Sequence, residues 1–174
     1  MTVIETGRLR LRPLTVADVE AFVALHADER VSAYVGAYSR EQALERLAAV
    51  ESQWAERGHG LCAIESRATG AFLGRSGLNH WPQFDEVEAG WTLRADAWGQ
   101  GYATEAARAV VDWGFATLGL RSVTAMIRPG NTPSVRVAER LGFVPHREDS
   151  LFGNPVVVHV LHHDDRSSDA RMES

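Results

Sequence analysis

The stretch Trp98-Gly99-Gln100-Gly101-Tyr102-Ala103-Thr104-Glu105 holds the residues best suited to chemistry. A strand pattern ends near Arg94, a short turn covers Asp96 to Gln100, and a helix pattern of small residues starts at once. Glycines let main chain come close to a ligand. A helix N-terminus adds unpaired amides at the positive end of its dipole. Such a place suits an anion, most naturally a phosphate or pyrophosphate. The same glycines would serve a tight turn equally well, so the loop alone leaves both uses open. Two familiar phosphate motifs are absent. A dinucleotide fingerprint needs Gly or Ala where Thr104 stands, and it belongs in the first strand–helix unit. A P-loop ends in Gly-Lys and then Ser or Thr, a triplet the chain lacks.

Composition narrows the setting of this chemistry. The one cysteine among 174 residues, Cys62, can form neither an internal disulfide nor a thiolate zinc cluster. His162 and His163 close a strand without further ligands nearby, so no metal is expected. The net charge of −5 argues against a nucleic-acid partner. It is compatible with a cationic substrate, or with a surface that is acidic for solubility alone. No run approaches the roughly 18 apolar residues of a membrane span. Met1 to Arg12 alternates polar and apolar residues and lacks the apolar core of a signal peptide. The expectation is a cytoplasmic protein with no membrane partner.

The elements that would position the loop follow from periodicity. Arg8 to Arg12 alternates as a strand stopped by Pro13, and Thr15 can cap a helix reaching about Asp28. Ser39 with Gln42 forms a capping box for a helix to about Arg57, closed by Gly58 and Gly60. Strands are expected over 61–66, 71–81 and 87–93, the first two joined in a hairpin at Ala68-Thr69-Gly70. A helix over 102–118 carries the apolar stripe Ala103, Ala106, Ala107, Val110, Val111, Gly114 and Phe115, and Gly119 ends it. Next come a strand over 123–127, a helix opened by Thr132-Pro133 and ended by Gly142, a strand from Phe143, and a last strand over 156–161. The segment from the third strand signal onward contains one strand–helix–strand unit, which should be parallel. One domain over residues 1–163 is expected, with a polar, disordered tail over 164–174.

Four motifs in this order carry a family resemblance: Gly90-Trp91-Thr92-Leu93, then Trp98 to Ala106, then Asn131-Thr132-Pro133-Ser134, then Leu141-Gly142-Phe143. Together with Glu5 to Leu14 they resemble the GCN5-related N-acetyltransferases (GNAT), in the branch that holds the ribosomal-protein N-terminal acetyltransferases (RimJ/RimL-like). The resemblance covers roughly residues 3 to 162. It implies an α/β (mixed α+β) acyl-CoA acyltransferase fold. In that fold a central, mostly antiparallel seven-stranded sheet is flanked by helices, and its parallel fourth and fifth strands splay apart. It also implies acetyl-CoA as cosubstrate, a primary amine as acceptor on a protein N-terminus or a small molecule, and a homodimer as a common assembly.

Residue roles come with the resemblance. The pyrophosphate loop has the form Gln/Arg-x-x-Gly-x-Gly/Ala. Gly101 and Ala103 fill its last fixed positions, and Trp98 departs from the first. The loop as a whole, Trp98, Gly99, Gln100, Gly101, Tyr102, Ala103 and Thr104, would hold the phosphates through main chain. The main-chain groups of Trp91, Leu93 and Arg94 would pair with the pantetheine arm, and Asn131 would hydrogen-bond it. Asparagine also favours turns such as Pro129-Gly130-Asn131-Thr132, so that reading stays beside the functional one.

For the chemistry, a protonated amine has no lone pair. A lysine-like amine costs about 4.6 kcal/mol to deprotonate at pH 7 and an α-amine only about 1 kcal/mol. Glu88, two residues before Gly90, is the candidate base, with Asp85, Glu86 and His80 behind it. On an alternating strand Glu88 could also be a solvated residue. The tyrosine that many relatives place near the leaving sulfur is replaced by Ala138, and Ser134 could donate a hydrogen bond there or only satisfy its own helix. Arg136 and Arg140 could face phosphates or solvent. Cys62 lies outside the motifs, so no acyl-enzyme is expected. The alternatives are a non-catalytic acyl-CoA-binding sensor or regulatory domain and, further off, a nucleotide-binding module.

Overall fold

The computed structural model describes residues 2–166. Its frame is one eight-stranded sheet: β1 (Ile4–Glu5), β2 (Leu9–Pro13), β3 (Leu61–Ser66), β4 (Phe72–Trp81), β5 (Glu86–Leu93), β6 (Ser122–Ile127), β7 (Val144–Leu151) and β8 (Asn154–His162). In space the order is β1-β2-β3-β4-β5-β6-β8-β7. Each neighbouring pair is antiparallel except β5 and β6. Three helices follow β2: α1 (Val19–Ala27), α2 (Glu29–Val35) and α3 (Arg40–Arg57). α4 (Tyr102–Leu118) and α5 (Thr132–Leu141) flank β6 in sequence.

Two apolar cores form because strand residues alternate across the sheet. On one face α4 lays Ala106, Ala107, Val110, Val111 and Phe115 against Leu9, Ile64, Leu78 and Ala89. Small residues let this helix sit close: a Cβ on Gly114 would meet Leu78 Cδ1 at 2.7 Å. On the other face α1 and α3 bury Phe22, Leu47 and Val50 over Leu61 and Ala63. Each fully buried large side chain contributes about 1.5–3 kcal/mol.

The expected order of elements stands, with three differences. The sheet has eight strands rather than seven, because Ile4–Glu5 pairs with Leu11 and Arg10. A two-residue strand is too short to show an alternation. The helix expected from Thr15 to Asp28 is broken up. A 3-10 turn, Val16–Asp18, comes first, α1 follows, and Asp28 then caps a separate α2 by accepting the Arg30 amide at 3.0 Å. Residues 163–166, the last residue of the expected domain and the first three of the expected 164–174 tail, form a helical turn in which Arg166 ion-pairs with Asp112. The remainder, 167–174, lies outside the described residues.

A candidate active site at the split in the sheet

β5 and β6 run side by side but share a single ladder pair, Glu88 with Thr124. The Thr124 hydroxyl also donates to the Val87 carbonyl at 3.4 Å. Beyond that point the strands diverge. Alternation fixes which main-chain groups face the gap. The Arg94 amide donates to the Leu73 carbonyl of the β4 side at 2.8 Å, so Arg94 and Thr92 point toward β4. Trp91 and Leu93 therefore point into the split. Of the three positions expected to offer main chain there, Arg94 is excluded. Its amide is committed to β4, and its side chain binds Asp96 and the Phe72 carbonyl. The Leu93 carbonyl accepts from the Trp98 indole at 3.0 Å, which leaves the Leu93 amide and both Trp91 groups for a guest.

The glycine loop lies at the open end of β5. Gly99 and Gly101 have φ of 76° and 80°, a region costly for other residues. The first intrahelical bond of α4 runs from Glu105 to Gly101, leaving the amides of Tyr102, Ala103 and Thr104 without intrahelical partners. Trp98 is 47% exposed and stands out in solvent. Trp54 and Trp113 pack on the core, and Trp91 lines the cavity described below.

A clamp that the sequence did not reveal fixes the loop to the N-terminal arm. Glu105 accepts from the Thr6 hydroxyl at 2.6 Å, the Arg8 amide at 3.0 Å and the Arg8 side chain at 2.7 Å, while Arg8 also donates to the Gln100 carbonyl at 2.9 Å. Beside the loop runs a shallow groove lined by Arg8, Gly101, Thr104, Arg108 and Arg140. Of the two arginines proposed for phosphate, Arg140 reaches it and Arg136 does not line it.

The split opens onto a cavity of about 460 Å³. Glu88 and Trp91 line it from β5, Asn131 and Ser134 from the start of α5, Tyr34 from α2, Arg46 from α3 and Tyr38 from the loop between those two helices. Glu88 is half-buried, the rest of its surface facing the cavity. Burial pushes its carboxyl up to about 7, against the opposing pull of the Trp81 indole, Arg75, the Met126 amide and Arg46. The Trp81 Nε1–H is itself buried and has no hydrogen bond of good geometry.

The back-up bases stand away from the cavity. His80 Nε2 lies 3.2 Å from an exposed Asp85, and Glu86 holds Arg147 at 2.7 Å; none of the three lines the cavity. Asn131 caps α5 by accepting the Ser134 amide at 3.4 Å, so the turn reading of this residue is correct as far as it goes. Its side-chain NH₂ and the Ser134 hydroxyl have no partner among the described residues. Cys62 is buried in the core, and burial pushes its thiol up to about 12.

Sequence reasoning missed Arg46 and Arg75, which line the cavity beside Glu88. A usable signal existed. Arg75 stands in a strand covered on both faces, where a charge needs a reason.

A split parallel pair, a glycine-opened helix at its mouth and a desolvated carboxylate at its apex now have a context in known proteins. The family model described as "Acetyltransferase (GNAT) domain" matches residues 8–144. YkkB of Bacillus subtilis is 35% identical over 91% of this chain and 94% of its own. The chain belongs to the GNAT acetyltransferases. An acetyltransferase of Agrobacterium tumefaciens superposes on this GNAT enzyme with a TM-score of 0.84 at 35% identity, covering 94% of this chain and 95% of that one. RimL, a ribosomal L7/L12 α-N-protein acetyltransferase solved in complex with coenzyme A, shares the GNAT fold at a TM-score of 0.79, with 18% identity over 94% and 99% of the two chains. The GNAT chain described here is thus an N-acetyltransferase, and its fold is that of the ribosomal-protein branch.

Proposed function

We propose that this enzyme moves the acetyl group of acetyl-CoA to a primary amine by direct attack within a ternary complex. The single observation that carries the reading is the position of Glu88. Its desolvated carboxylate sits at the last ladder pair of β5 and β6, where the split begins.

The residues fit acetyl-CoA on features of the chain itself. The orphan amides of Tyr102, Ala103 and Thr104 suit a pyrophosphate, with Arg8, Arg108 and Arg140 along the neighbouring groove. Trp91 and the Leu93 amide suit the amides of a pantetheine arm laid in as an extra strand. The Asn131 NH₂, left free by the cap, suits a carbonyl of the same arm.

In the reaction the amine nitrogen attacks the thioester carbonyl carbon. Glu88 accepts the proton, directly or through water. A carboxyl near 7 is about half ionised at neutral pH, the state a base requires there. The C–S bond then breaks and the thiolate leaves, with the Ser134 hydroxyl, which lines the cavity, donating to sulfur. A thiolate is only about 2 kcal/mol above its thiol at pH 7, so a weak donor suffices. The acceptor would be a protein N-terminus or a small-molecule amine.

Two measurements test this reading. Calorimetry should give saturable CoA binding, and a thiol-release screen over a panel of amines should give turnover that Glu88→Gln lowers by about a hundredfold or more while CoA affinity persists. A chain that binds no CoA at millimolar concentration is not this enzyme.

A further inference from the structure

We propose that Arg46 and Arg75 select an acceptor that carries an anionic oxygen group, a carboxylate or a phosphate, close to its amine. This rests on the reading of the cavity given above and names the substrate class that it takes.

The two guanidiniums reach the cavity from opposite walls, Arg75 from β4 and Arg46 from α3. Arg75 Nε donates to His26 Nε2 at 3.3 Å. His26 is fully buried and stays neutral, since burial and Arg75 itself depress it to about 3. Its Nδ1 lies 2.9 Å from the Gly36 carbonyl, which can only accept. The proton therefore sits on Nδ1, and Nε2 is free to accept from Arg75. Phe22 packs beneath the guanidinium, 6.0 Å from its ring centre. Arg46 Nη2 donates to the buried Asn79 side chain at 2.9 Å, and its guanidinium lies 5.8 Å from the centre of the Trp81 ring. Both forks are thus aimed by neutral partners.

Neither arginine has an ion-pair partner among the described residues. The contrast within the same chain is sharp. Arg12, also half-buried, binds both Asp18 and Glu65, and Arg147 binds both Glu86 and Asp149. Carboxylates raise the basicity of Arg12 and Arg147, whereas burial lowers that of Arg46 and Arg75. Glu88, the one carboxylate among the described residues lining the cavity, is shared between the two and is itself only partly ionised. The cavity therefore holds excess positive charge inside a protein whose net charge is −5. Desolvated charge without a partner is costly, and a guanidinium fork matches an oxyanion in shape as well as in sign. Phosphates of the cosubstrate do not meet this need, because the glycine loop and its own arginines line a different groove. Tyr38, packed on Phe22 and His26, closes the wall beside the pair and, with Tyr34 and Trp81, adds aromatic surface for the rest of a small acceptor.

The test pairs substrates with and without the anionic group, compared at equal concentrations of free amine: alanine, methionine and phenylalanine against their carboxamides, and phosphoethanolamine against ethanolamine. Thiol release is followed at saturating acetyl-CoA for the wild type, Arg46→Gln, Arg75→Met and Arg75→Lys. At least one anionic member should exceed its neutral twin in kcat/KM by about tenfold or more, chiefly through KM. That ratio should collapse in Arg75→Met and Arg46→Gln and be partly restored in Arg75→Lys. The carboxylate and phosphate arms distinguish the two sources of the anion. Calorimetric titration of the CoA complex with the N-acetylated acids and amides gives the same comparison without turnover. Turnover of amines with no preference for the anionic twins overturns this inference and leaves the acetyltransferase reading intact. Loss of activity in equal measure toward both twins in the variants also overturns it, since the arginines would then serve only Glu88 or the fold. No charge preference in either turnover or binding is equally fatal.

Discussion

Replacing Glu88 by glutamine removes one proton-accepting oxygen and almost no volume. If the carboxylate takes the proton of the attacking amine, Glu88→Gln should lower kcat/KM by about a hundredfold or more, within the usual range for a positioned base. The pH profile carries the sharper signature. Burial holds the carboxyl at about 7, so wild-type kcat/KM should climb with pH through that value as Glu88 loses its proton. The variant should lose the inflection at about 7 and keep only the shallower rise set by ionisation of the amine itself. The same shift predicts an effect on stability with a definite sign. Native Glu88 binds its proton more tightly than it would in the unfolded chain, where the ordinary value is 4.5. Stability from this group is therefore highest below 4.5, falls as pH rises from 4.5 to 7, and stays low above 7. A displacement of this size corresponds to at most about 3 kcal/mol. Glu88→Gln should accordingly gain stability relative to wild type at about pH 8 and lose that advantage at about pH 4. Thiol-release kinetics from about pH 5 to about pH 9, with denaturant melts at about pH 4 and about pH 8, read both effects. A variant that keeps wild-type kcat/KM and the same inflection would refute the assignment of the base, and a melt difference independent of pH would refute the burial argument.

Three further outcomes are expected. Glu105→Ala, which strips the Thr6 and Arg8 contacts from the loop, should cost about 1–2 kcal/mol in denaturant melts and weaken CoA binding in calorimetry. Ser134→Ala should lower kcat by no more than about tenfold and leave CoA affinity unchanged, because the thiol leaving group needs little help; a loss of several hundredfold by the same thiol-release assay would make the hydroxyl far more than a weak donor. Cys62, held near 12 by burial, should resist alkylation in the native state and acquire no acetyl mass after incubation with acetyl-CoA alone, as read by intact-protein mass spectrometry.

Local signals were enough for much of this architecture. α4 begins at Tyr102 and ends at Leu118, as its apolar stripe and Gly119 require, and the Ser39–Gln42 box opens α3 with both reciprocal hydrogen bonds made. The glycine loop was legible because its special backbone is encoded in its residue types. The short elements were not. α2 buries one residue, Val31, and so leaves no periodic trace. The role of Arg94 depended on which way one amide points, a fact of strand pairing that alternation along a single strand leaves open. Arg46 and Arg75 were hidden for a related reason. On an isolated helix or strand each reads as a solvent-facing charge, and only the packing of α1 and α3 over β4 turns those positions inward.

That packing also explains why the fold can leave a cavity at its centre. Parallel neighbours need not stay paired when each has an antiparallel partner on its other side, and β5 and β6 have β4 and β8 respectively. The apolar cores formed by α4 and by α1 with α3 lie on opposite faces of the sheet, so the separation past Glu88 and Thr124 sacrifices ladder bonds more than buried apolar area. Those vacated bonding positions are what a pantetheine arm can fill. The side chains around them, Glu88 from β5 and Arg75 from β4, sit on strands rather than on loops, and so are held by the sheet itself. On the proposed reading the acceptor end of the site is the place where sequence change is cheapest, because neither Arg46 nor Arg75 lines the glycine-loop groove.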